Sequence, residues 1–191
     1  MRLFVAIDPP HDAIEHLRHR LDLVPGLRWT DPEQWHLTLT FCGEVDEKTA
    51  AELSLRLARA AARQAPVSLR LAGSGAFSRP ARAHALWVGL KGEVDSLGRL
   101  AASASAAARR CAIAVEDRRF RAHLTIARAA PAKDLRELVA ALSSYDGPTW
   151  VANEIHLVRS HLGAKTVHER IGTWRLAAVT PTDRVRDAPG D

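Results

Sequence analysis

The sequence predicts an α+β fold of two pseudo-symmetric lobes, each a mainly antiparallel sheet with helices packed on its outside, around a central cleft. Three observations predict it. The phrase Trp35-His36-Leu37-Thr38-Leu39-Thr40-Phe41 returns 87 residues later as Ala122-His123-Leu124-Thr125-Ile126-Ala127-Arg128. The order of alternating and helically spaced segments around the first copy is repeated around the second, so the chain reads as a duplication. Finally, 191 residues with 47% hydrophobic and 26% charged side chains are enough to bury one sizeable core.

The duplicated phrase has strand alternation. Strict alternation places His36, Thr38 and Thr40 on one face and Leu37, Leu39 and Phe41 on the other; His123 and Thr125 stand likewise above Leu124 and Ile126. With nine histidines and ten threonines, a bare His-x-Thr arises by chance about once in two such chains, so the weight rests on the pair.

Taken in order, residues 2–7 form a buried strand ended by Asp8-Pro9-Pro10. Asp12 opens a helix with Ile14, Leu17, Leu21 and Val24 at helical spacing, closed by Pro25-Gly26. A short strand through Leu27 and Trp29, then a turn at Asp31-Pro32, leads into the first His-Thr strand, which Gly43 and Glu44 finish. Asp46 caps a helix with Ala50, Leu53, Leu57 and Ala61 on one face, stopped by Pro66. Val67, Leu69 and Leu71 alternate with Ser68 and Arg70 and run into a loop over 73–80. The second half repeats this order, with a buried strand over 85–90 and a helix over 93–110 that turns Val94, Leu97, Leu100 and Ala104 inward. A short strand over 112–115 precedes the second His-Thr strand, and Pro131 and Asp134 begin a helix that buries Leu135, Leu138, Val139 and Leu142. Strands over 150–158 and 166–179 close a single domain of residues 1–180, whose halves run from 1 to 80 and from 83 to 180. Residues 181–191, rich in Asp, Arg and Pro, are expected to be a disordered tail.

Composition narrows the partners. No apolar run approaches the ~18 residues of a membrane span, and the N-terminus reads as a first core strand rather than a signal peptide, so a cytoplasmic location is expected. Two cysteines, Cys42 and Cys111, make neither a disulfide framework nor a metal cluster and read as buried thiols. The net charge of +5 favours an anionic partner. Of the 27 basic residues, 23 are arginine, whose guanidinium grips phosphate in two-pronged fashion and stacks on bases; a genomic bias toward Ala and Arg codons gives the same excess.

These residues resemble the two-histidine phosphoesterase superfamily, whose signature is a pair of His-x-Thr-x tetrads on facing strands. Within it the chain is most similar to the bacterial and archaeal RNA 2′,3′-cyclic phosphodiesterases, also called 2′-5′ RNA ligases. The likeness runs through residues 2–8, 36–45, 86–90 and 123–128; Ala122 stands where many relatives have proline. The resemblance implies opening of a 2′,3′-cyclic phosphate at an RNA end to a 2′-phosphate without a metal or cofactor, and, in some members, reversible ATP-independent 2′-5′ joining of tRNA halves. It implies His36 as the proton donor to the departing 3′ oxygen and His123 as the base that activates water.

The chemistry needs such residues. One proton must leave water on one side of phosphorus while another reaches the leaving oxygen, and two imidazoles can do this near neutral pH with one neutral and one protonated. Thr38 and Thr125 can donate hydrogen bonds to the charge that builds on the non-bridging oxygens. Arg128 is the first choice for a cationic phosphate contact. Arg121 and Phe41 are further substrate-binding candidates, with core packing the competing reading for Phe41 and for Phe120. Arg79, Arg82 and Arg159 are candidates for the RNA backbone. No metal is expected, because neither copy carries a second histidine or a carboxylate at ligand spacing. The expected protein is a monomer whose partner is RNA with a 2′,3′-cyclic phosphate end, tRNA fragments included. Rival readings are a non-catalytic RNA-end-binding module and a phosphodiesterase for a small cyclic nucleotide or ADP-ribose cyclic phosphate.

Overall fold

Runs of aliphatic side chains at strand and helix periods set the elements of the computed structural model, which describes residues 1–21, 29–117, 119–163 and 166–177. The apolar run that opens the chain makes β1 (Arg2–Ile7), buried from Leu3 onward. It is followed by α1 (His11–Leu21), β2 (Leu37–Glu44), α2 (Glu47–Ala61) and β3 (Val67–Arg79). The second half gives β4 (Arg82–Gly92), α3 (Val94–Arg109), β5 (His123–Lys133), α4 (Arg136–Leu142), β6 (Trp150–Ala152), β7 (Glu154–His161) and β8 (Val167–Arg175). Asp46 caps α2 by accepting from the Thr49 amide, and the four inward residues expected of that helix are buried.

All eight strands join one antiparallel sheet in the order β6-β3-β4-β5-β2-β1-β7-β8. The α+β class with two related lobes is what the chain adopts, and the strand order shows how they are built. β3, from the first half of the sequence, pairs with β4 of the second, while β7 returns to pair with β1. Each half thus lends its closing strands to the other's sheet. The two groups of four strands meet between β2 and β5 at a single residue pair, Leu37 with Leu124. A second stitch crosses nearby, where the Thr30 amide and hydroxyl both donate to the Ile126 carbonyl, at 3.0 and 2.7 Å. Helices α2 and α3 pack on the same side of the sheet as Leu3, Val5, Ile7, Leu37 and Leu124, in one continuous core. Phe4, Ala6 and Val158 form a separate small cluster on the opposite face.

A bulge breaks strict alternation in both His-Thr strands. The β1–β2 register steps from Ala6–Thr38 to Val5–Thr40, leaving Leu39 unpaired, and the β4–β5 register steps from Trp87–Thr125 to Leu86–Ala127, leaving Ile126 unpaired. Two consecutive residues in each strand therefore face the core. Thr40 turns inward, buried and with its hydroxyl unpartnered, rather than sharing the face of His36 and Thr38. Phe41, expected beside Leu37 and Leu39, swings outward to 58% exposure, and Arg128 makes the same turn in the second copy.

Other expectations shift for local reasons. The loop expected over 73–80 is strand, because two register shifts let β3 continue to Arg79 beside β4. Residues 112–115 form no strand; the chain turns at Ala112, whose φ is 57°. Pro131 belongs to β5 rather than to a helix, and α4 begins only at Arg136. Trp29 lies outside any strand, and residues 150–158 split into β6 and β7 at Asn153. The expected helix closure at Pro25-Gly26, the part of the short strand at Leu27, and the tail over 181–191 lie outside the described residues.

Both leucines at the seam are fully buried. Leu37→Ala and Leu124→Ala are each expected to lower the unfolding free energy by about 2–5 kcal/mol. Because paired side chains on one face of a sheet touch, the double variant should show a coupling of about 0.5–3 kcal/mol. Urea denaturation of the four chains measures this, and strictly additive losses would mean the seam leucines act independently.

Candidate active site

The register at the seam sets the site. With Leu37 opposite Leu124 and both side chains in the core, the residues on either side point to the other face. Extending the register by one residue sets His36 across from Thr125 and Thr38 across from His123. The two histidines are then diagonal neighbours, a relation that spans about 7–8 Å in antiparallel sheets. All four side chains are half-buried. Neither threonine hydroxyl has a hydrogen-bond partner among the described residues.

Each imidazole is held in the same way. His36 Nδ1 lies 2.7 Å from the Gln34 carbonyl, and His123 Nδ1 lies 2.7 Å from the Arg121 carbonyl. A carbonyl only accepts, so each Nδ1 carries a hydrogen and donates it, leaving Nε2 as the nitrogen free to exchange a proton. The carbonyl two residues upstream is available because both histidines stand at strand entries, where the preceding backbone has left the ladder. Gln34 itself is anchored by its side-chain amide, which donates to the Thr166 carbonyl.

The walls differ between the two sides. His36 stacks on Phe4 at 4.6 Å between ring centroids and meets a third imidazole, His168 of β8, edge-on at 5.1 Å. This side opens into a cavity of about 220 Å³ whose lining includes Phe4, Asp8, Glu33, His36, His168 and Arg170, in which Asp8 and Arg170 form an ion pair. Beneath it lies buried His156, bonded to the Thr173 hydroxyl and 3.9 Å from Asp8. His123 stands edge-on to Phe77 at 4.9 Å, with Trp87 behind it. Gly75 makes room for that indole, since a Cβ there would sit 2.2 Å from a Trp87 ring carbon.

Burial in these aromatic walls lowers the basicity of every imidazole in the cleft. It is the largest cause of the fall of His36 from 6.5 to about 4, with His168 and Arg128 adding to it and Asp8 opposing. His123 is lowered by burial, then by Arg121 and Arg128. His168 is lowered by burial and by Arg128, against Asp8. The charge of Arg128 thus bears on three imidazoles at once, while Asp8, which opposes the fall of His36 and His168, lies on the His36 side.

The sequence-predicted residues therefore gather on one face. Arg128 is exposed across from Ala85, and Phe41 is exposed 6.1 Å from Phe4. The Arg121 guanidinium lies over Trp87 and Phe77, at 5.4 and 5.9 Å from the ring centroids. Sequence reasoning missed His168, Asp8 and Arg170, which carry no Thr partner and share a face only once β8 is known to lie beside β7. Cys42 and Cys111 are buried free thiols, and burial pushes Cys42 up to about 12. Among the described residues no group of three or more His, Cys, Asp or Glu side chains is placed to hold a metal ion, and no helix is long and apolar enough to cross a membrane.

The model of the LigT like Phosphoesterase family matches twice, over residues 5–87 and 88–168. The chain belongs to this family. It is a phosphoesterase of the two-histidine superfamily, and the double match falls on the two copies of its His-Thr phrase. It is 34% identical over 131 residues to the RNA 2′,3′-cyclic phosphodiesterase of Archaeoglobus fulgidus, covering 67% of this chain and 72% of that protein. To the protein of that name from Geobacillus stearothermophilus it is 32% identical over 173 residues, 87% of this chain but 53% of the relative. Its structure matches E. coli LigT complexed with 3′-AMP with a TM-score of 0.72 at 27% identity, covering 92% of this chain and 96% of that one.

The lowered His36 gives this phosphoesterase a pH-dependent stability. Its folded value of about 4 lies below the unfolded 6.5, so between those limits the unfolded chain takes up the proton and the folded one does not. Its contribution is complete above pH 6.5 and is lost as pH falls toward 4, on the order of 3 kcal/mol in all. Urea unfolding from pH 7 to pH 4 should show a shallower loss for His36→Gln than for the parent chain. Parallel curves would mean the ring titrates normally in the fold.

Proposed function

We propose that the protein hydrolyses 2′,3′-cyclic phosphate ends of RNA to 2′-phosphomonoesters by acid–base catalysis between His36 and His123, with no metal. The single observation that carries this reading is the matched pair of imidazoles, each fixed through Nδ1 by the carbonyl two residues upstream and set diagonally across the Leu37–Leu124 pair. A phosphate seated between them has one Nε2 on each side of phosphorus. The names of the relatives and the 3′-AMP complex of E. coli LigT support a nucleotide phosphate as the ligand.

In the proposed reaction His123 Nε2 takes a proton from water as the water oxygen bonds to phosphorus. The P–O3′ bond breaks, and His36 delivers its Nε2 proton to O3′. Thr38 and Thr125 donate to the non-bridging oxygens, and Arg128 supplies the countercharge. Asp8 supports a proton on His36 and Arg121 opposes one on His123, while burial, His168 and Arg128 all lower His36 as well. Burial holds His36 at about 4, and an incoming phosphate anion raises both rings. A ribose 5′-hydroxyl in the place of water would yield a 2′-5′ linkage through the same groups. Both histidines come from one chain, so a monomer of residues 1–180 acts as a complete two-lobed unit, in the cytoplasm.

The deciding experiment incubates the protein, in excess chelator, with an oligonucleotide ending in a 2′,3′-cyclic phosphate. A 2′-phosphate is the expected product; a 3′-phosphate would reverse the roles of the histidines, and inactivity restored by a metal would end the metal-free reading. His36→Ala and His123→Ala should each lower kcat by about 10²–10⁴.

The pH profile follows from the same groups. Both free-enzyme values are lowered, so kcat/KM should be bell-shaped with its maximum below pH 6.5. The kcat profile, read with phosphate bound, should lie at higher pH. Steady-state rates from pH 4 to pH 9 check this, and a flat profile contradicts an acid–base pair.

A further inference from the structure

We propose that the groove between α2 and α3, across the sheet from the histidines, is a second anion site that holds backbone phosphates of the RNA away from its reacting end. This rests on the phosphodiesterase reading above and extends it to how a long substrate is held.

Arg56 and Arg59 of α2 and Arg63 in the turn after it recur at i, i+3 and i+7, so they share one side of the helical stretch. Arg110, at the C-cap of α3, joins them around a cavity of about 320 Å³. The Gln64 amide donates to the Ser103 hydroxyl across this groove, adding polar groups beside the guanidiniums. No carboxylate lines it among the described residues. Arg56 is paired with Glu52 at 2.6 Å, but Arg59, Arg63 and Arg110 are exposed and have no side-chain partner among the described residues.

Elsewhere Arg18, Arg70, Arg109, Arg136 and Arg170 each form an ion pair with a nearby acid, whereas others, Arg121 and Arg128 of the cleft among them, form none among the described residues. Three unpaired guanidiniums converging on one cavity repel one another, and an anion relieves that repulsion. The cations form a row rather than a point: seven helical residues rise about 10 Å. A row of forked donors suits successive phosphates along a strand better than a single phosphate or a headgroup. The groove residues lie outside the cleft, so they act on binding and not on the chemical step.

The test compares the parent chain with R59Q/R63Q/R110Q. Affinity for a long hairpin RNA is measured over a salt series, and turnover is measured on a dinucleotide 2′,3′-cyclic phosphate. Affinity of the variant for the long RNA should fall at least about tenfold at low salt, with the slope of log K against log salt smaller by about 2. Its kcat/KM on the dinucleotide should be unchanged. A second variant, R59K/R63K/R110K, keeps the charge and should recover most of the salt slope. Unchanged long-RNA affinity and slope in the first variant overturn the proposal, as does failure of the lysine variant to recover the slope. Loss of binding to phosphatidylserine vesicles with RNA affinity intact also overturns it and assigns the groove to a membrane surface. If the parent chain turns over no cyclic dinucleotide, the phosphodiesterase reading fails, while the binding series still decides the groove.

Discussion

The pairing of Leu37 with Leu124 puts two buried leucines back to back beneath four polar side chains, and the geometry of the cleft follows from that one contact. A slip of one residue in either strand would send a histidine and a threonine into the core and bring leucines to the surface, because side chains in a strand alternate. The register therefore has the whole core behind it. Only one pair is needed because each strand is locked on its other edge, β2 along β1 and β5 along β4. The strands can part on either side of the seam and leave room above it, while the Thr30 bonds to Ile126 keep the lobes from sliding.

The bulges in β2 and β5 complete the face. A regular strand would place the fifth residue after each histidine inward, yet Phe41 and Arg128 both face out because Leu39 and Ile126 are inserted without partners. The same insertion leaves the Ile126 carbonyl free to accept from Thr30. One local irregularity thus supplies a cation to the cleft and a bond across the lobes. Its cost is visible in Thr40, whose hydroxyl is turned into the core with no partner.

This explains what could be read from the sequence. β1 was legible as an unbroken apolar run, and α2 and α3 because their buried residues keep the helical period. His36, Thr38, His123 and Thr125 were legible because they precede the bulges, where alternation still holds. Thr40 and Phe41 were misplaced, since a bulge leaves no mark on a run of apolar and polar residues. The Gly- and Ser-bearing stretch over 73–80 read as a loop, although Gly75 is there to admit the Trp87 indole. His168, Asp8 and Arg170 needed the strand order itself, because a lone histidine on a closing strand carries no sign of which cleft it enters.

The duplication would by itself make two equivalent imidazoles. The departures from symmetry give the two rings different surroundings. At the position paired with the fifth residue after histidine, the first lobe has Phe4 and the second Ala85; one step further along the face, the first has Ala6 and the second Trp87. Each ring thus gains an aromatic wall from a different register position. The outward residue is Phe41 on one side and Arg128 on the other; Arg121 stands beside His123, while Asp8, His168 and Arg170 gather beside His36 and the charge of Arg128 reaches both. The backbone keeps its two-fold pattern, holding both Nδ1 atoms alike, and the side chains break it. Geometry is shared between the halves, and the walls and charges around each ring are what set them apart.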